Sequence, residues 1–181
     1  MRSELERRLQ EYDGVAVSIL SEAKTAYRSI PGYFEALLRL TGEPRQHTSE
    51  AASWLIKAEA DDGTQFDIEF TDQLSQVLHD IHPWQAKLHI LQSIESFELE
   101  RAQAQRFFDW ATSLADHPRP FLRAWSLHTR VVIGSQFADF RHKAKMALTA
   151  AGSDSAASVR ARARKLSQQF SAGRGDNSLR D

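Results

Sequence analysis

Apolar residues return at steps of three and four along nearly the whole chain, and proline or glycine cuts that rhythm into short lengths. Such a period puts side chains on one face of a helix, so the chain is constrained to bury a series of amphipathic helices. Leu5, Leu9, Tyr12, Ala16, Ile19, Ala23 and Tyr27 predict one first helix, with Gly14 as a weak point inside it and Pro31-Gly32 as its end. Ser3 and Glu6 have the spacing of a capping box. Tyr33, Phe34, Leu37 and Leu38 predict a second helix from Pro31, with Gly42 as its C-cap. Ala51, Ala52, Trp54, Leu55 and Ala58 predict a third, stopping at Asp61-Asp62-Gly63.

The alternation in Phe66-Asp67-Ile68-Glu69-Phe70 reads alone as a strand, but no partner strand is evident. An isolated strand is unstable, so the segment is expected to be an extended loop leading into a helix. Helical stripes then follow in Phe70–Ile81, in Trp84–Phe97 behind Pro83, and around Phe107, Trp110 and Leu114. After His117-Pro118-Arg119-Pro120 come stripes through Phe121–Val132, Phe137–Leu148 and Val159–Phe170. The reading is all-α: a single domain over residues 1–171 and a polar, disordered tail over 172–181.

The predicted helices fall into antiparallel pairs whose second members open alike. Pro83-Trp84-Gln85-Ala86, Pro120-Phe121-Leu122-Arg123-Ala124 and Ala157-Ser158-Val159-Arg160-Ala161 set Trp84, Phe121 and Ser158 at intervals of 37 residues. That is the range of helix-pair repeats. Leu122-Arg123-Ala124 and Val159-Arg160-Ala161 resemble the opening of second helices in HEAT-like repeats, over roughly residues 31–171. The resemblance implies a short solenoid of irregular pairs, capped by the first helix. It also implies a protein-binding scaffold, although a fold alone never fixes function.

Composition removes several chemistries. With no cysteine there is no disulfide, thiolate nucleophile or cysteine-ligated zinc. The formal charge of −1 makes the chain no polyanion binder as a whole. No stretch approaches the roughly 20 apolar residues of a membrane span. The first residues carry no apolar signal core, so a cytoplasmic location is expected.

Of the seven histidines, His79, His82 and His89 are closest in sequence, but Pro83 interrupts their helical register, and no metal is expected. Glu50, Asp61, Asp62, Asp67, Glu69 and Asp72 are rich enough for acid–base work. They read better as helix-end charges at a stop and a start. There is no Gly-x-Ser-x-Gly, and Gly173-Arg174-Gly175 lies outside any strand–helix turn, so neither a catalytic set nor a cofactor is expected.

The remaining signal is basic and aromatic. Arg119, Arg123, Arg130, Arg141, Lys143, Lys145, Arg160, Arg162, Arg164 and Lys165 load the C-terminal half, and Trp54, Trp84, Trp110 and Trp125 accompany the helices. The expected function is a non-enzymatic protein-interaction module, with Lys87, Arg123, Arg130 and Arg162 as partner contacts. The alternative is a nucleic-acid binder, after the HEAT-like DNA glycosylases, with phosphates on the cations and bases stacked on tryptophan.

Overall fold

The computed structural model describes residues 4–172. Ser3 of the expected capping box and residues 173–181 of the expected tail lie outside them, while Ala172 closes the last helix.

The described residues form ten α-helices and no strand ladder. They are α1 (Glu4–Gln10), α2 (Val17–Tyr27), α3 (Tyr33–Thr41), α4 (Gln46–Asp61), α5 (Ile68–Val77), α6 (Trp84–Gln92), α7 (Arg101–Ser113), α8 (Pro120–Gln136), α9 (Ala138–Ala151) and α10 (Ala157–Ala172). Single 3₁₀ turns follow α5 at Leu78–Asp80 and α6 at Ile94–Ser96. No helix is long and apolar enough to cross a membrane. The chain divides into two compact units at Gln103 and Ala104, within the first turn of α7.

The expected first helix is two helices. Gly14 sits at φ +87°, a left-handed conformation that L side chains resist. Asp13 Oδ1 accepts from the backbone N–H of both Val15 and Ala16, at 2.9 Å each. That turn chemistry restarts the chain as α2, and the apolar stripe simply continues across the break. The stripe attributed to Trp84–Phe97 also ends early: α6 stops at Gln92 and Phe97 leaves it in extended conformation. Gly134, by contrast, does not stop a helix, because α8 runs through it to Gln136.

In the first unit α4 packs against α3 and α6, and α1 packs against α2 and α4. Its core holds Leu9, Leu20, Leu37, Leu55, Ile56, Leu74 and Ile90. Of the Phe66–Phe70 stretch expected to be an extended loop, only Phe66 and Asp67 are extended; Ile68, Glu69 and Phe70 already form the first turn of α5. Phe66 pairs with the backbone around Phe97 through Phe66 N–H to Ser96 O (2.8 Å) and Glu98 N–H to Phe66 O (2.9 Å). Asp67 then caps α5 by accepting from Phe70 N–H at 2.9 Å. Phe66 stacks on Phe70 with ring centroids 4.5 Å apart, and Phe34 meets both edge-on.

In the second unit α8 and α9 are joined by Phe137 alone and pack on each other, with α10 lying against both. Leu127, Val131, Leu148, Ala163 and Leu166 are its buried centre, with Ala147, Ala151 and Phe170 against them. Gly134 allows α8 and α9 to approach closely: a Cβ there would overlap Ala144 Cβ. The second unit is therefore a helical layer built on small residues at the crossing and leucines beyond it.

Candidate binding surfaces

Charge separates the two units. Residues 1–103 carry 10 Lys and Arg against 18 Asp and Glu, whereas residues 104–181 carry 13 against 6. The near-neutral total thus conceals a formal −8 in one unit and +7 in the other.

In the first unit the buried carboxylates Glu6 and Glu59 are paired with cations. Glu59, fully buried on α4, takes Lys24 of α2 at 3.9 Å and Arg28, just past the end of α2, at 3.2 Å. The Tyr33 hydroxyl donates to it at 3.4 Å, and burial followed by the charge of Glu59 pushes the phenol well above its ordinary range. Lys24 also reaches Ala58 O and Asp62, both at 2.8 Å. Glu6, buried on α1, pairs with Arg39 at 2.9 Å.

The carboxylate-rich stretch scatters accordingly. Glu50 is buried against Gln46 (2.9 Å) and His47 (3.0 Å). Asp61 pairs with Lys57, Asp62 with Lys24, and Asp72 accepts from Gln76 and Gln103 at 2.7 Å each. Only Asp67 and Glu69 meet around a shared space. With Glu35 they rim a groove of about 270 Å³ floored by Phe34, Phe66 and Phe70.

Histidine is put to structural use in the same unit. Among the described residues no three His, Asp or Glu side chains converge as a metal site would require. His79 and His82 are exposed, whereas His89 is turned inward with Nδ1 3.0 Å from Ser53 Oγ. Burial, reinforced by Lys57, lowers the His89 pKa to about 4. Ser53 itself is fully buried and shares its hydroxyl with Glu50 O at 3.0 Å. A neutral base and a shielded hydroxyl make a packing contact here, with no open approach for a substrate.

The second unit holds three of the four residues expected to meet a partner. Arg123, on the first turn of α8, is fully committed inside the chain. Its Nε and Nη2 donate to the two oxygens of Asp154 at 2.8 Å, and Nη1 donates to His117 O at 2.8 Å and Pro118 O at 3.3 Å. Only 13% of its side chain is exposed. Asp154 is held below its usual range by Arg123, and its Oδ1 also accepts from Ala156 N–H at 2.8 Å just ahead of α10. This bidentate pair ties the turn before α8 to the loop between α9 and α10.

Arg130 lies two turns along α8 and is half-buried. Its Nε donates weakly to Ser126 O at 3.4 Å, and neither Nη has an acceptor among the described residues. Burial lowers its pKa, while the charge of Asp116 opposes that shift. Arg162, on α10, covers Trp125 with its guanidinium carbon 4.1 Å from the ring centroid. Trp110 is buried, and Trp54 and Trp84 are half-buried. Lys87 belongs to the first unit, half-buried on α6.

The sequence points to a basic C-terminal half, but the residues chosen from it as partner contacts leave out the exposed cations of α9 and α10. Arg141, Lys143 and Lys145 on α9, and Arg164 and Lys165 on α10, are exposed and have no carboxylate partner among the described residues. Met146 on α9 is 60% exposed, and Phe121 at the start of α8 is 63% exposed. The helical phase carried this signal: Phe140, Ala144 and Leu148 mark the buried stripe of α9, Arg141 and Lys145 flank it on one side, and Lys143 flanks it on the other. No family model, curated protein or solved structure matches the chain.

Proposed function

We propose that the protein is a non-enzymatic helical interaction module, and that the outward surfaces of α9 and α10 dock an acidic segment of a protein partner. One observation carries this reading: five exposed cations with no carboxylate partner among the described residues, beside an exposed methionine. Single-sign surface charge raises association rates with a partner of opposite charge, and an exposed apolar side chain among the charges adds contact area. The HEAT-like reading of the helix pairs belongs with this proposal. It is supported by the starts of α6, α8 and α10 at Trp84, Pro120 and Ala157, which keep nearly the expected interval.

The same cations favour a nucleic acid as the second reading. Stacking is the weaker part of it, because Trp110 is buried and Arg162 already covers Trp125. Fluorescence-anisotropy titrations with a labelled oligoglutamate peptide and with labelled single- and double-stranded DNA separate the two, at low and at physiological salt. The proposal expects peptide binding that exceeds DNA binding at physiological salt and falls at least tenfold in Lys143→Glu/Lys145→Glu. DNA binding that survives physiological salt with a steep salt slope selects the second reading. Binding unchanged in the double variant removes α9 as the docking surface.

A further inference from the structure

The geometry points to a binding site in the second unit for a small carboxylic acid carrying a hydrogen-bond donor on its neighbouring carbon, a 2-amino or 2-hydroxy acid with a short aliphatic side chain. A cavity of about 140 Å³ opens among α8, α9, α10 and the turn after α7. Alanines 115, 147, 150 and 151 leave the space, Leu127 and Val159 add apolar wall, and Asp116, Arg123, Arg130 and Asp154 are its only charged groups.

These four groups are not equivalent. Arg123 and Asp154 neutralise each other through two 2.8 Å hydrogen bonds, and both are occupied by further backbone partners. Arg130 is left as a half-buried cation whose two Nη groups have no acceptor among the described residues. Asp116 is near enough to favour its charge but forms no ion pair with it. A desolvated guanidinium without an anion is costly, and a carboxylate matches its paired donors. The second charge of a phosphate dianion would meet Asp116, which disfavours it. An ammonium or hydroxyl beside the carboxylate instead gives Asp116 a donor. The alanine, leucine and valine walls then receive a methyl or similar group. This site is separate from partner docking on the outward surface of α9 and α10, and neither requires the other.

The test is an amide-resolved NMR titration of the full chain with L-alanine, L-lactate, acetate and inorganic phosphate at fixed ionic strength. The expected result is a saturable shift at Ala147, Ala150, Ala151 and Val159 with alanine and lactate. Affinity should be in the range of about 1 mM, as befits ligands of so few atoms. Acetate should bind more weakly, and phosphate weakest. Arg130→Gln should lose binding at least tenfold while its melting temperature stays the same or rises, because a half-buried charge without an ion-pair partner has been removed. Asp116→Asn, at an exposed position, should weaken alanine more than acetate. The inference is overturned by the absence of a saturable shift with alanine and lactate, by a preference for phosphate, or by alanine binding unchanged in Arg130→Gln. A fall in the melting temperature of that variant with binding intact gives Arg130 a structural role and likewise overturns it.

Discussion

The residues that matter most to the first unit are charged or titratable groups turned inward, and each makes a measurable commitment. His89 is the clearest. Its folded pKa is about 4, against 6.5 for an ordinary imidazole, so the unfolded chain binds the extra proton between those values. Stability is therefore complete above pH 6.5 and falls as pH drops toward 4, by up to about 3 kcal/mol. Urea unfolding at pH 7 and pH 4.5 checks this: His89→Gln should flatten the slope in that window. The carboxylates held low by their partners, such as Asp154, act at more acid pH and leave that slope alone. Glu59 makes the companion prediction. Glu59→Ala removes the acceptor shared by Arg28 and the Tyr33 hydroxyl and leaves a void, while Lys24 keeps Asp62 and Ala58 O; it should cost about 1–3 kcal/mol in urea unfolding. Neither role was legible in the sequence. Glu59 meets Arg28 across 31 positions and Tyr33 across 26, and nothing in local spacing selects those partners over any others.

Elements were far more legible, because helix propensity and apolar phase are local. The stop at Asp61-Asp62-Gly63, the start behind Pro83 and the loop before α5 all follow from turn and cap chemistry within a few residues. The failures occur where one glycine has two physical uses. Gly14 breaks a helix because its φ of +87° suits the turn closed by Asp13, and the unbroken apolar stripe hides that break. Gly134 looks like the same signal but lies inside α8, where its missing side chain lets Ala144 approach. The two should respond differently to alanine. Gly134→Ala, in a helical backbone, should cost about 1–3 kcal/mol through overpacking at the α8–α9 crossing. The loss should be relieved in part by Ala144→Gly, which a double-mutant cycle would detect as coupling. Gly14→Ala pays for a positive φ and for contact with the His47 ring, so no small-residue substitution in a neighbouring helix should rescue it.

At the scale of the whole chain, the decisive property is one that total composition conceals. A formal charge of −1 suggests a molecule with little electrostatic character, yet −8 resides in residues 1–103 and +7 in residues 104–181. Copies of such a chain attract one another at low ionic strength, acidic unit to basic unit. A uniformly near-neutral chain would interact weakly at any salt. The attraction is screened as the Debye length falls from about 30 Å at 0.01 M salt to about 8 Å at physiological ionic strength. Light scattering should therefore give a negative second virial coefficient at low salt that rises steeply toward zero or above as salt is added. Charge reversal of Arg141, Lys143 and Lys145 should weaken that dependence, since these cations are exposed and unpaired on α9. It should leave the melting temperature within a degree or two, because surface charges of this kind contribute little to folding. If the salt dependence survived that reversal, the attraction would have to arise from cations elsewhere in the unit, and the α9 surface would lose its claim as the place where an acidic partner docks.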